Sequence, residues 1–159
     1  MTAQRKRQLF WTVLTAGYLL FIFCNSLQTA QVSGQRSLGV VAHINRLLEN
    51  WSIPLAVTDH LVRKSAHFAE YALYGLLLAV TLGQYTRRLW PHLFTIFFCG
   101  LAGALCDETI QLFVPGRSGQ VSDVLLDFAG VLAGILLCLL CRTAYRRCDK
   151  KPNSTGHDT

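Results

Sequence analysis

Four stretches of this chain, Leu9–Leu27, Ser65–Gly83, His92–Val114 and Val121–Cys141, approach or exceed the roughly 17 to 25 apolar residues that a helix needs to span hydrocarbon. A water-soluble core built from such runs would need amphipathic elements with polar outer faces, and these runs carry little of that periodicity. Composition agrees: 52% of the residues are apolar and 15% charged, against roughly 25% charged in soluble domains. The sequence therefore predicts an all-α membrane protein with four transmembrane helices, and 159 residues is one domain's worth of chain.

The net charge of +6 does not describe a nucleic-acid surface, because the basic residues flank the apolar runs. Arg5, Lys6 and Arg7 precede the first run; Arg87 and Arg88 follow the second; Arg142, Arg146, Arg147, Lys150 and Lys151 follow the fourth. If the helices alternate in direction these fall on one side, which the positive-inside rule makes cytoplasmic, with both termini inside. The expected organisation is a basic N-terminus over 1–8, a transmembrane domain over 9–141 and a basic, disordered tail over 142–159. The first apolar run is too long for a signal peptide and lacks a small-residue cleavage site, so it reads as a retained helix. Cys138 and Cys141 form a CxxC on a helix with no second pair, which reads as packing rather than zinc or redox chemistry. In the first outer loop, Gln28 to Lys64, apolar residues at Leu38, Val41, Ile44, Leu47 and Leu48 predict a short helix lying in the membrane interface.

Five of the nine acidic residues, Glu70, Asp107, Glu108, Asp123 and Asp127, lie inside the apolar runs. An ionised carboxylate near a bilayer centre costs roughly 2.5 to 3.5 kcal/mol on insertion scales, so a chain that keeps five has a use for them. The alternating topology puts all five in the outer turns of helices two, three and four. At 1.5 Å per residue, Glu70, Asp107 and Asp127 come about 8 to 11 Å below the outer boundary, three helices delivering acid to one depth. Lys64, His67, Tyr71 and Tyr74 share a stripe with Glu70 at its flank, while Asp107 and Gln111, and Asp123 and Asp127, are i, i+4 pairs. Gly100, Gly103 and Ala104 on the third helix, with Gly130, Ala133 and Gly134 on the fourth, permit close approach. The expectation is an outward-opening pocket ringed by Arg63, Lys64 and Arg117. A buried network could instead only fix packing, but five carboxylates against three permanent cations is more acid than packing needs.

These residues resemble the VanZ-like family of small bacterial membrane proteins. The resemblance runs through Arg63-Lys64-Ser65-Ala66-His67-Phe68-Ala69-Glu70-Tyr71, Asp107-Glu108-Thr109-Ile110-Gln111, Pro115-Gly116-Arg117, Asp123, Asp127, Gly130 and Gly134, and spans roughly Leu9 to Leu140. It implies a four-helix domain in the bacterial inner membrane. The family's founding member is associated with low-level resistance to the glycopeptide teicoplanin. Many members have Asn where Asp127 stands, which ranks that carboxylate last, while the topology ranks Glu70, Asp107 and Glu108 first.

The leading functional reading is a protein that binds or acts on an amphiphile at the outer leaflet, such as a lipid-linked envelope precursor or a lipid-tailed glycopeptide. Arg63, Lys64 and Arg117 would take an anionic headgroup, with Tyr71, Gln111, Asp123 and Asp127 along the site. Glu70, Asp107, Glu108 and His67 are the candidate catalytic groups, as general base or as ligands of a divalent cation. No zinc spacing, nucleophile elbow or phosphate loop assigns a reaction. An ion- or proton-coupled carrier and a non-catalytic scaffold of an envelope complex are the other readings. The expected partners are the bilayer and one amphiphilic ligand, with no nucleic acid, and nothing in the sequence speaks to oligomeric state.

Overall fold

The computed structural model describes residues 1–86 and 88–149; Arg87 and the tail from Lys150 to Thr159 lie outside the described residues. Every regular element among them is helical: α1 (Ala3–Ser26), α2 (Ala30–Asn50), α3 (Asp59–Tyr85), a 3₁₀ turn (Trp90–His92), α4 (Leu93–Gln111) and α5 (Val121–Asp149). Four segments, Ala3–Ser26, Asp59–Tyr85, Trp90–Gln111 and Val121–Arg147, are long and apolar enough to cross a membrane. Their outward faces carry the exposed side chains of Phe94, Phe98, Leu125, Leu136 and Leu140, an apolar exterior that water would not tolerate and acyl chains would.

Helices α3 and α5, and α1 at its start, overrun the apolar stretches while α4 stops short of Val114 at Gln111, because hydropathy marks the part fit for hydrocarbon whereas capping and propensity decide where a helix ends. Helix α1 starts at Ala3, where the Thr2 side chain caps Arg5 N, and α3 starts at Asp59, where Thr58 caps Leu61 N. Helix α5 runs past Cys141 to Asp149, with Arg146 and Arg147 in its last turn, where cations suit the negative end of the helix dipole. Helix α2 is also longer than expected, 21 residues rather than a short segment around Leu38–Leu48. It is tied to the start of α3 by Asn45, which donates to Val57 O (3.1 Å) and accepts from Val57 N (2.8 Å), and by Ser37, which donates to the Asp59 carboxylate.

Helices α3 and α5 form the spine. They run parallel and touch backbone to backbone where Gly130 faces Phe68 O and Gly134 faces Ala72 O, and further along Gly83 faces the Arg142 side chain. A methyl group at Gly75 would fall on the Val131 carbonyl oxygen, and one at Gly134 on that of Ala72. The small residues of the last helix thus serve α3, not principally α4 as their pairing with Gly100 and Gly103 suggested. Gly100 lies over the Val131 side chain and Gly103 over Tyr74 and Leu19. Around this seam the buried core gathers Ile22, Tyr71, Tyr74, Ala104, Val131 and Ile135. Helix α1 joins α3 through polar contacts that apolar periodicity hid: Thr15 Oγ1 and Thr81 Oγ1 lie 2.7 Å apart, and Gln8 Nε2 donates to Gln84 O at 3.0 Å. Those contacts set α1 antiparallel to α3.

Gly134→Ala should therefore cost about 1–3 kcal/mol, because the added methyl must push α3 off α5. Gly17→Ala, where a methyl meets nothing within 4 Å, should leave thermal unfolding of the detergent-solubilised protein unchanged or raise it slightly. Equal midpoints for the two variants would contradict the α3–α5 seam.

Candidate functional site

One end of the bundle collects the start of α3, the end of α4, the start of α5 and the α1–α2 junction. The connection from α4 to α5 is what closes it. Successive turns bring Phe113 N to Ile110 O, Val114 N to Gln111 O and Arg117 N to Val114 O, and Gly116 takes the left-handed conformation (φ +79°) that a side chain resists. The chain reverses within nine residues, and Arg117 comes to lie over the bundle between two cavities.

The first cavity, about 260 Å³, is lined by Arg63, Lys64, His67, Glu108, Arg117 and Asp127, among others. The second, about 240 Å³, is lined by Asn25, Ser26, Arg36, Arg63, Glu70 and Arg117 among others, with His67 common to both. Each holds a volume of roughly eight waters, enough for a headgroup and too small for a whole amphiphile. Arg63, His67 and Arg117 form the shared wall. Burial first, and the neighbouring Arg63 guanidinium second, push Arg117 below its ordinary value; guanidinium groups nonetheless stay charged at physiological pH. Among the described residues neither Arg63 nor Arg117 is in an ion pair, and Arg117 Nε is buried without a hydrogen-bond partner.

The five acids are satisfied very unequally. Asp123 pairs with Lys64 Nζ at 2.9 Å, both side chains about one-third exposed, a geometry worth roughly 0–1 kcal/mol. Glu70 accepts from Asn25 Nδ2 at 3.2 Å. Glu108 accepts from Gln120 N (3.1 Å) and Gln111 Nε2 (3.1 Å). Asp107 accepts from Gln111 Nε2 at 3.2 Å through Oδ2, while its Oδ1 has no hydrogen-bond partner among the described residues. Among the described residues Asp127 has no hydrogen-bond partner on either oxygen, and both aspartates are fully buried. His67 Nδ1 is likewise buried and unpartnered, 3.9 Å from Asp127 Oδ1. One ligand atom from each of His67, Asp107 and Asp127 lies within 4.8 Å of the others.

The residues expected from the sequence thus meet at one end, with distinctions that spacing did not supply. Arg63, Lys64, His67, Glu108, Gln111, Arg117, Asp123 and Asp127 surround the first cavity, whereas Glu70 belongs to the second. Tyr71 is fully buried between α3 and α4, its hydroxyl donating to Gly103 O at 3.4 Å, and is a packing residue in this geometry. Asp127, ranked last from the family pattern, belongs to the least satisfied cluster. Asn25, Ser26 and Arg36, which line the second cavity, were not singled out; the polar Asn25-Ser26 pair closing the first apolar run was the available signal. Cys138 is buried and Cys141 exposed, and both are free thiols.

A four-helix, multi-pass membrane protein with a polar site sunk into one end of the bundle is the class these features define. Within it, the chain belongs to the VanZ/LLP1 family, whose model matches residues 10–142. No curated protein and no solved structure matches the chain.

Two substitutions separate strong from weak links in this site. Lys64→Ala should cost no more than about 1 kcal/mol, since its pair with Asp123 is part-exposed. Gln111→Leu should cost about 1–3 kcal/mol, because it strands acceptors on both Asp107 and Glu108. Chemical or thermal unfolding in detergent measures both, and the reverse order would contradict this hydrogen-bond scheme.

Proposed function

We propose that the protein binds the anionic headgroup of a lipid-linked envelope component, or of an amphiphilic glycopeptide, at the outer leaflet of the plasma membrane. The observation that carries this reading is the shared wall of the two cavities, where, among the described residues, Arg63 and Arg117 stand with no carboxylate in an ion pair with either. Unpaired guanidinium groups facing a cavity suit phosphate or carboxylate, which they bind with directional, bidentate hydrogen bonds. The carboxylates beneath, Glu108 and Asp127 in the first cavity and Glu70 in the second, suit the hydroxyl and amide groups of a saccharide or peptide head. Acyl chains would lie along the apolar outer surface and the exposed Leu38 and Leu47 of α2, which in this reading rests in the interface.

Orientation follows from charge. The basic residues Arg5, Lys6, Arg7, Arg88, Arg142, Arg146 and Arg147 gather at the end opposite the site, which makes that end cytoplasmic by the positive-inside rule. A carrier is less well supported, because α3 from Tyr71 to Tyr85, α4 from Leu93 to Cys106 and α5 from Phe128 to Cys148 contain no acidic residue to continue a path.

In this reading, native mass spectrometry of the detergent-purified protein finds a retained anionic lipid or lipid-linked saccharide, and the Arg63→Gln, Arg117→Gln double variant loses it at least about tenfold, an energy of roughly 1.4 kcal/mol. Equal retention by the folded double variant would refute the headgroup reading. In a cysteine-free background, Ser118→Cys should react with a membrane-impermeant maleimide on intact cells. Labelling only after lysis would reverse the orientation.

A further inference from the structure

We propose that His67, Asp107 and Asp127 form a binding site for one divalent first-row transition ion of the zinc or manganese kind. This deepens the headgroup reading, on which it rests for its role but not for its test. The argument starts from the sorting of the acids. Asp123 has Lys64, Glu70 has Asn25, and Glu108 has Gln111 and a backbone amide. Besides Arg117 Nε, what remains without a hydrogen-bond partner among the described residues is Asp107 Oδ1, both oxygens of Asp127 and His67 Nδ1, all buried and all belonging to one cluster. Buried polar atoms without partners are expensive, and here four of them converge from α3, α4 and α5.

Charge points the same way. Asp107 and Asp127 bring two negative charges when both are ionised, and among the described residues neither is in an ion pair with a lysine or arginine. A dication between them cancels those two charges. Geometry permits it: metal–ligand bonds of roughly 2.0–2.2 Å put ligand atoms about 3 to 4 Å apart, and these atoms lie within 4.8 Å, so modest side-chain shifts close the set. The donors select the ion. One imidazole with two carboxylates suits zinc, manganese or ferrous iron, whereas magnesium and calcium favour sites made wholly of oxygen. Three protein ligands leave coordination open, and His67 and Asp127 face the first cavity beside Arg63 and Arg117, so a headgroup phosphate oxygen could take the free position.

The test uses the full chain with any metal-binding tag removed. Chelator-stripped wild-type protein in detergent is loaded with zinc and its metal content measured, then titrated with cobalt while the visible absorption of the ligand field is followed. The expected result is one ion per chain, with His67→Gln and Asp127→Asn each weakening binding by at least about tenfold and Glu70→Gln leaving it intact. Far-ultraviolet circular dichroism and size exclusion confirm that each variant is folded, and the strip-and-reload cycle on wild type reads out without any variant. Wild-type protein that takes up neither ion at low micromolar concentration overturns the site, as does a folded Asp127→Asn that binds as tightly as wild type. Because no lipid is involved, protein that retains lipid through Arg63 and Arg117 but binds no metal overturns this inference alone. Protein that binds metal but no lipid overturns the headgroup reading alone.

Discussion

Hydrocarbon cannot hydrogen-bond, and everything polar in this bundle is arranged around that fact. A backbone in lipid satisfies itself as helix, but the side chains of Asp107 and Asp127 have no such recourse and must be enclosed by protein. The parallel contact of α3 with α5 supplies part of the enclosure. Gly75, Gly130 and Gly134 let the two backbones meet without side chains between them, and α4 then covers the cleft with Asp107, Glu108 and Gln111 on its inner face. Without that seam the carboxylates would face acyl chains or a wide, wet groove.

Enclosure and functional readiness pull in opposite directions here. The bundle could have neutralised its acids with lysine or arginine, as it does once at Lys64 and Asp123. Instead the guanidinium groups of Arg63 and Arg117 stand in the cavity wall, and the two deepest aspartates keep unpartnered oxygens. In the proposed reading, opposite charges held near each other but unpaired form a site that both an anion and a cation can complete. That arrangement stores unfavourable solvation energy, which a ligand carrying both kinds of group would release on binding. The starts of α3 and α5 meet at this end, so their positive dipole ends add to the favourable setting for negative charge, with Asp59 and Asp123 in their first turns.

Much of the fold was legible in sequence because its strongest determinants are local. Run length distinguished four membrane-spanning helices from the loops, and the i, i+4 spacing of Asp107 with Gln111 survives as a direct hydrogen bond of 3.2 Å. Helix ends were less legible, since Thr2 and Thr58 cap segments that hydropathy treats as exterior. The roles of individual polar residues were least legible. Tyr71 and His67 share a helical stripe, yet one is sealed against Gly103 and the other opens onto a cavity. Asn25 and Ser26 enter the site from the end of α1, a contribution no spacing within the other helices could indicate.

By itself the sequence determined that this chain forms a helical, multi-pass membrane domain with its acids near one end, because apolar length, charge placement and helical rise are properties of single segments. The tertiary structure alone decided which helices touch and which acids remain unsatisfied. Pairing between segments depends on where glycine allows two backbones to approach and on which donors then come within about 3 Å, and those are relations among residues tens of positions apart. The same relations brought Asp127, the last-ranked acid, into the cluster with His67 and Asp107.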